Sequence, residues 1–343
     1  MLVEVGTAVR LVPRTPAGSV DELIAGATSR EPFAQTDGKS GSTLERVVID
    51  GERYVLKQLH PDSDWTMRGF GDVGCRPVQV WTSGLLDAVP DVIDHAVVGA
   101  ASGIGRNGWG GALLLHDRSE AMVPEGDAPL SLEVHRQLLD HMAALSAAFW
   151  GAADHLPELL SLGGRWSFFG PGWMQSEAQL GWPEVIPTIA RDGWERFATR
   201  APRDVVAVID ALRHDLDPLV AAAERTPQTF LHGDWKLGNL GAADGRTVLL
   251  DWTYPGVGPV AHELGWYLAI NSARLPESKE ASVDALRGSL ESHGIATDGW
   301  WEEQVDLCLL GALVQFGWEK ALGSDDELGW WCDRARDGAR WLR

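Results

Sequence analysis

Thr229-Phe230-Leu231-His232-Gly233-Asp234-Trp235-Lys236-Leu237-Gly238-Asn239-Leu240, followed by Thr247-Val248-Leu249-Leu250-Asp251-Trp252, decides the reading of this chain. Two short apolar runs, 229–231 and 248–250, read as strands. The first delivers His232-Gly233-Asp234 into a loop, and Asn239 follows five residues after Asp234. The second ends on Asp251, twelve residues after Asn239. A lone Asp or Asn in a loop caps or turns the chain. Together, at this spacing, they are the parts that phosphoryl transfer from ATP needs. One carboxylate orients the acceptor hydroxyl and takes its proton, while an amide oxygen and a second carboxylate hold Mg²⁺ on the phosphates. Hard oxygen ligands suit Mg²⁺, which keeps several waters and bridges phosphate oxygens. His232 reads as a hydrogen-bonded brace of the loop, and Trp235 and Trp252 read as packing residues.

His232, Gly233, Asp234 and Asn239 match the HGDxxxxN of the aminoglycoside phosphotransferase and choline kinase-like family, relatives of the protein kinases, which this chain resembles. The resemblance is strong over about residues 229–270, fair over 33–60 and topological elsewhere. It implies an α+β, protein-kinase-like bilobal fold, with a small antiparallel-sheet N-lobe and a large, mainly helical C-lobe. It implies that Asp234 is the catalytic base and that Asn239 and Asp251 bind Mg²⁺. Lys236 looks like the catalytic-loop Lys of protein kinases and would touch the γ-phosphate. Gly258-Pro259-Val260-Ala261-His262-Glu263-Leu264 resembles the family's GPxxxDL, with Glu263 in place of the Asp that braces the catalytic loop.

The N-terminal part supplies the rest in order. Val47-Val48-Ile49, Asp50-Gly51 and Tyr54-Val55-Leu56 read as a β-hairpin across residues 43–59, ending near Lys57. A kinase-like small lobe needs a Lys on this strand for the α- and β-phosphates, and Lys57 is that candidate. The polar loop Asp37–Ser42 precedes the hairpin, with Gly38, Lys39 and Ser40 as candidate phosphate contacts. Residues 19–30 read as a short helix and 76–88 as another. The family places a Glu on the helix after the Lys; residues 76–87 contain none, and Gln79 and Asp72 are the two candidate partners of Lys57. Leu113–Asp117 resembles the strand leading to the hinge, where the backbone near Asp117 would meet adenine. Val97–Arg106 imitates a dinucleotide-binding glycine fingerprint. Asn107-Gly108-Trp109-Gly110-Gly111 follows it and breaks helices, so a hairpin turn is the better reading.

After His116-Asp117 the pattern turns helical. Leu138, Met142, Leu145 and Phe149 fall on one helical face, as do Val205, Ile209, Leu212, Leu216, Leu219 and Ala223. Further helices are expected around 262–273, 281–292, 301–321 and 326–342. The reading is an N-lobe over 1–117, a hinge near 115–118 and a C-lobe over 118–343.

Composition narrows function from the other side. The chain has 343 residues and a formal net charge of −20. Nucleic-acid and anionic-membrane binders want basic surfaces, so neither partner is expected; the oligomeric state is left open. Residues 1–117 hold 10 basic and 15 acidic residues, and 118–343 hold 19 and 34. An acidic helical part fits a cationic small-molecule acceptor bearing the hydroxyl, such as an amino sugar or aminoglycoside-like antibiotic. Other sugars, choline-like or metabolite alcohols, and a non-catalytic kinase-fold binding role stay open. Candidate acceptor contacts are Glu177, Glu184, Glu195, Trp300, Glu302, Glu303, Trp318, Glu319, Asp325, Asp326 and Trp331. No apolar run reaches the ~18 residues of a membrane span, and the first residues lack a secretory pattern. Cys75, Cys308 and Cys332 are scattered, which argues against a disulfide framework or zinc site and for a reducing cytoplasm. Only five Lys stand against 24 Arg, so positions that keep Lys are those needing a compact ammonium.

Overall fold

Short apolar runs on either side of Asp50-Gly51 build the first sheet. In the computed structural model, which describes residues 10–33, 40–181 and 185–342, β1 (Ala27–Pro32), β2 (Thr43–Ile49), β3 (Glu52–Leu59), β5 (Val97–Ile104) and β6 (Gly110–His116) form one antiparallel sheet in the order β1-β2-β3-β6-β5. Asp50 (φ 51°) and Gly51 (φ 83°) both take positive φ, the geometry that matches a two-residue turn to strand twist. Val47, Leu56, Ala101, Ala112 and Leu114 form the buried face. Residues 19–30 are not one helix. A turn over Val20–Leu23, capped by the Ser19 hydroxyl, ends before Gly26 (φ 86°), and β1 follows. The glycine stretch after Val97 is the β5–β6 hairpin. At Gly105 (φ 84°) a Cβ would lie 2.9 Å from His60 Cβ, so the hairpin's turn and close packing, not a dinucleotide, account for that glycine. The expected 76–88 helix is Arg76–Thr82, interrupted at Gly84 (φ 80°) and followed by a 3₁₀ turn over Leu85–Ala88.

A second sheet holds the functional loop. Its order is β4 (Ile93–Asp94), β9 (Arg246–Leu249) and β8 (Leu240–Ala243), with β4 parallel to β9 and β8 antiparallel to it. Asp244 (φ 53°) and Gly245 (φ 74°) make the β8–β9 turn, repeating the chemistry of Asp50-Gly51.

The chain divides into two compact units. One comprises Ala8–Asp127 with Asp234–Pro255; the other comprises Ala128–Gly233 with Gly256–Arg343. The β4–β9 pairing ties residues 234–255 to the N-terminal segment, whereas a boundary at 117 groups them with the helices. In the helical unit, Leu132–Ala148 is capped by Ser131 and buries Leu138, Met142 and Leu145. Trp301–Lys320 is buried around most of its circumference and packs against Val260–Ile270, Ile186–Arg200 and Asp325–Ala339, as expected of an interior helix. The single stripe expected over 205–223 is split into Arg203–His214 and Asp217–Glu224, with Pro218 in the first turn of the second. β7 (Thr229–Leu231) pairs antiparallel with β10 (Gly256–Gly258) in this unit. Among the described residues no helix is long and apolar enough to cross a membrane.

Candidate active site

β7 carries the chain into the loop that begins at His232. Thr229 Oγ1 donates to the carbonyl of Ser146 at 2.7 Å, anchoring this strand to helix Leu132–Ala148. His232 and Gly233 follow, and Gly233 (φ 84°) supplies a left-handed bend that other residues resist. Glu263, in the first turn of helix Val260–Ile270, is buried beneath it. Its carboxylate accepts the His232 N–H at 2.7 Å and the Gly233 N–H at 2.8 Å. The longer side chain therefore braces the loop directly, as an anion holding two backbone donors that strands leave unpaired.

In the other unit, Asp234 is buried and Asn239 locks it. Asn239 Nδ2 donates to Asp234 Oδ2 at 2.8 Å and to the Asp234 carbonyl at 3.1 Å. Lys236 Nζ lies 3.1 Å from the same Oδ2. The β8–β9 register pairs Leu240 with Leu249, and Leu250 N–H donates to the Asn239 carbonyl at 2.9 Å. The twelve-residue spacing is thus one tight hairpin that returns Asp251 to Asn239. Asp251 itself sits at φ 64°, an uncommon conformation for a non-glycine residue that recurs at functional sites.

Lys57, on β3 opposite Leu44 and Leu113, reaches this point. Its Nζ donates to Asp251 Oδ1 at 2.6 Å, and Thr253 Oγ1 donates to the same oxygen. Burial pushes the Asp234 carboxyl above the ordinary carboxylate range; Lys236 opposes this and the negative charge of Asp251 adds to it. Burial acts upward on Asp251 too, but Lys57 and Lys236 outweigh it and hold Asp251 well below that range. Two acids of one cluster are thereby separated in acidity. One remains a firm anion and the other is a better proton acceptor than a solvated carboxylate.

The donor set fits a magnesium ion. Asn239 Nδ2 is committed to Asp234, which leaves its Oδ1 as the amide's free face. With the Asp251 carboxylate this makes two hard oxygen donors, of the kind Mg²⁺ takes together with phosphate oxygens and waters. Among the described residues no group of three or more His, Cys, Asp or Glu forms a ready-made metal cage.

Gly38 and Lys39 lie outside the described residues, as does Glu184. Ser40 is described; its hydroxyl meets that of Ser42 at 3.2 Å, and its carbonyl accepts the Trp65 N–H. The Asp117 carboxylate accepts from Ser119 and pairs with Arg46 at 3.3 Å, while its N–H donates to the Arg53 carbonyl. Neither expected partner contacts Lys57. Asp72 accepts the Arg76 N–H and caps helix Arg76–Thr82, and the Gln79 amide lies against Gly74. The acceptor candidates are dispersed over the helical unit. Trp318 and Trp331 are core residues, Glu302, Asp325 and Asp326 are exposed in first turns of helices, and Glu177 is a buried carboxylate. Three residues absent from the sequence reading join the Lys57–Asp251 cluster: Asp64, Thr253 and Tyr254. Asp64 carries a legible signal, since Asp64-Trp65-Thr66-Met67 starts a helix, but nothing local says that this cap faces a lysine.

The family model described as the phosphotransferase enzyme family matches residues 37–297. No curated protein sequence matches the chain. Among solved structures, the amicoumacin kinase hAmiN, in complex with AMP-PNP, Ca²⁺ and Ami, is similar at 13% identity and a TM-score of 0.51, over 91% of this chain and 88% of that one. The microcompartment-associated aminopropanol kinase is similar at 13% identity and a TM-score of 0.50, over 90% of each chain. The chain therefore belongs to the phosphotransferase enzyme family of small-molecule phosphotransferases, with the kinase-like α+β fold of these proteins.

Proposed function

We propose that this enzyme transfers the γ-phosphoryl group of ATP, with Mg²⁺, to a hydroxyl of a small amine-bearing molecule, an amino sugar or aminoglycoside-like compound. The observation that carries the reading is the Asp234 carboxylate, buried, locked by Asn239 and under the charges of Lys236 and of Asp251, which itself pairs with Lys57. Asp234 Oδ1 or Oδ2 accepts the proton of the acceptor hydroxyl as its oxygen forms the bond to phosphorus. The bond between phosphorus and the β–γ bridging oxygen breaks, and ADP carries away that electron pair. Lys236, beside Asp234, offsets negative charge on the transferring group. Lys57 holds the α- and β-phosphates, and the backbone after β6 near Asp117 meets adenine. Asp251 and Asn239 would hold the magnesium ion, which neutralises phosphate charge when bound. Ser40 flanks the phosphates.

The acidic balance of residues 118–343 and the buried carboxylate of Glu177 support a cationic acceptor. An aminopropanol kinase shares the fold, so an amino alcohol belongs in the same test. ADP release is measured with ATP and Mg²⁺ over amino sugars, aminoglycosides, peptide antibiotics and amino or choline-like alcohols. The expected result is Mg²⁺-dependent, acceptor-dependent ADP release with an amine-bearing acceptor. Turnover confined to neutral sugars would remove the amine preference, and none with any acceptor would count against the enzyme reading.

A further inference from the structure

Among the described residues, Lys57 pairs with one that the proposed function needs elsewhere. Its partner is Asp251 Oδ1 at 2.6 Å, and Asp251 is the carboxylate assigned to the metal. A cation arriving at Asp251 competes with the ammonium for the same oxygens, and Lys57 then needs a second anion to stay aimed at the phosphates.

Asp64 has the properties of that anion. It is fully buried. Its Oδ1 is spent on the start of helix Trp65–Gly69, accepting from Thr66 N–H at 2.9 Å, Thr66 Oγ1 at 2.6 Å and Met67 N–H at 3.1 Å. Its Oδ2 is buried and accepts no hydrogen bond from the described residues. A cap needs one oxygen; a residue used only as a cap would be as well served by Ser or Thr, without burying a carboxylate. The Asp64 charge interacts with both Lys57 and Asp251, and burial raises its pKa against the pull of Lys57. Three links hold it there. Thr66, its hydrogen-bond partner, also bonds Tyr254, three residues beyond Asp251. The Phe70 and Tyr254 rings pack at 4.8 Å. Trp65 N–H donates to the carbonyl of Ser40 at 3.0 Å, so the residue after Asp64 also holds Ser40.

We propose that Asp64 is the positioning residue for Lys57: Oδ2 receives the Lys57 ammonium when a divalent cation takes Asp251. Lys57 thus alternates between two carboxylates, and the metal decides which. This rests on the nucleotide- and metal-binding reading above. It assigns the lysine's partner to a helix cap seven residues downstream, not to Asp72 or Gln79 on or before helix Arg76–Thr82.

The test measures AMP-PNP affinity by calorimetry on the full chain, with Mg²⁺ and with chelator, for wild type, Asp64→Asn, Asp64→Ser and Asp72→Asn. Asn and Ser both retain the cap, and melting curves report whether they do. The expected result is that both Asp64 variants weaken AMP-PNP binding about tenfold with Mg²⁺, the loss expected for one charge-assisted hydrogen bond. Their affinity in chelator should stay within about twofold of wild type, because Lys57 still has Asp251 there. Equal losses in both conditions with a lowered melting temperature mean a structural cap only, and overturn the proposal. So does wild-type affinity in both conditions, or a Mg²⁺-dependent loss in Asp72→Asn instead. If the wild-type chain binds no Mg²⁺–AMP-PNP, it is the nucleotide reading that fails.

Discussion

Scarcity of lysine turns out to be informative residue by residue. Each lysine among the described residues sits in an ion pair: Lys57 with Asp251, Lys236 with Asp234, and Lys279 and Lys320 both with Glu327. The last two brace the helical unit, Lys320 with its Nζ also donating to the Ala269 carbonyl at 2.6 Å. Lys236 and Asp234 make a prediction that belongs to this scale. Burial raises the pKa of Asp234, and Lys236 is the strongest force lowering it. Turnover needs Asp234 ionised, so activity falls as pH drops through its pKa. Lys236→Met removes the favourable charge and should move the acid limb of kcat upward by about one pH unit, besides lowering kcat. An unmoved limb would break the assignment of that limb to Asp234. Asp234, Asn239, Asp251 and Lys57 were legible as candidates from residue type, spacing and the family resemblance, and the structure brings them together. Asp64 was not, because its local sequence explains it fully as a helix cap and its neighbour Lys57 is set by tertiary packing.

Elements were legible where periodicity or a turn dipeptide marked them. The β2–β3 hairpin was read from Asp50-Gly51, and Asp244-Gly245 carries the same signal for β8–β9. β8 escaped because Leu240-Gly241-Ala242-Ala243 has neither alternation nor branched side chains, and β10 because two of its three residues are glycine. These two strands matter, since β8 sets the register that joins Asn239 to Asp251 and β10 pairs with the strand feeding His232. Helix Val260–Ile270 contributes through Glu263, whose replacement of the usual Asp was the open question of the motif. Two backbone N–H groups depend on its carboxylate. Glu263→Gln keeps the volume and one acceptor but removes the charge; it should destabilise the protein by about 2 kcal/mol and lower kcat more than it raises the KM for ATP. An unchanged melting temperature would mean that the two donors find another partner and that the brace is dispensable.

Across the whole molecule, the residues assigned to chemistry and nucleotide gather in one compact unit although they lie far apart in the chain. Lys57, Asp234, Lys236, Asn239 and Asp251 all belong to the unit of Ala8–Asp127 with Asp234–Pro255. No sequence pattern announced that partition, because the parallel β4–β9 pairing that creates it joins segments more than a hundred residues apart. The fold class was legible from the order of a strand-rich part, a loop motif and long helical stretches, and the family match over residues 37–297 agrees with it. The charge of −20 supports a cationic acceptor but equally serves solubility, so the acceptor is a matter for the ADP-release screen. One comparison tests Asp234 as the base. Phosphate transfer to the acceptor and Mg²⁺–AMP-PNP affinity are measured side by side for wild type and Asp234→Asn. The account predicts a loss of kcat of about a thousandfold or more with nucleotide affinity within a few-fold of wild type, and near-wild-type turnover in the variant would contradict it.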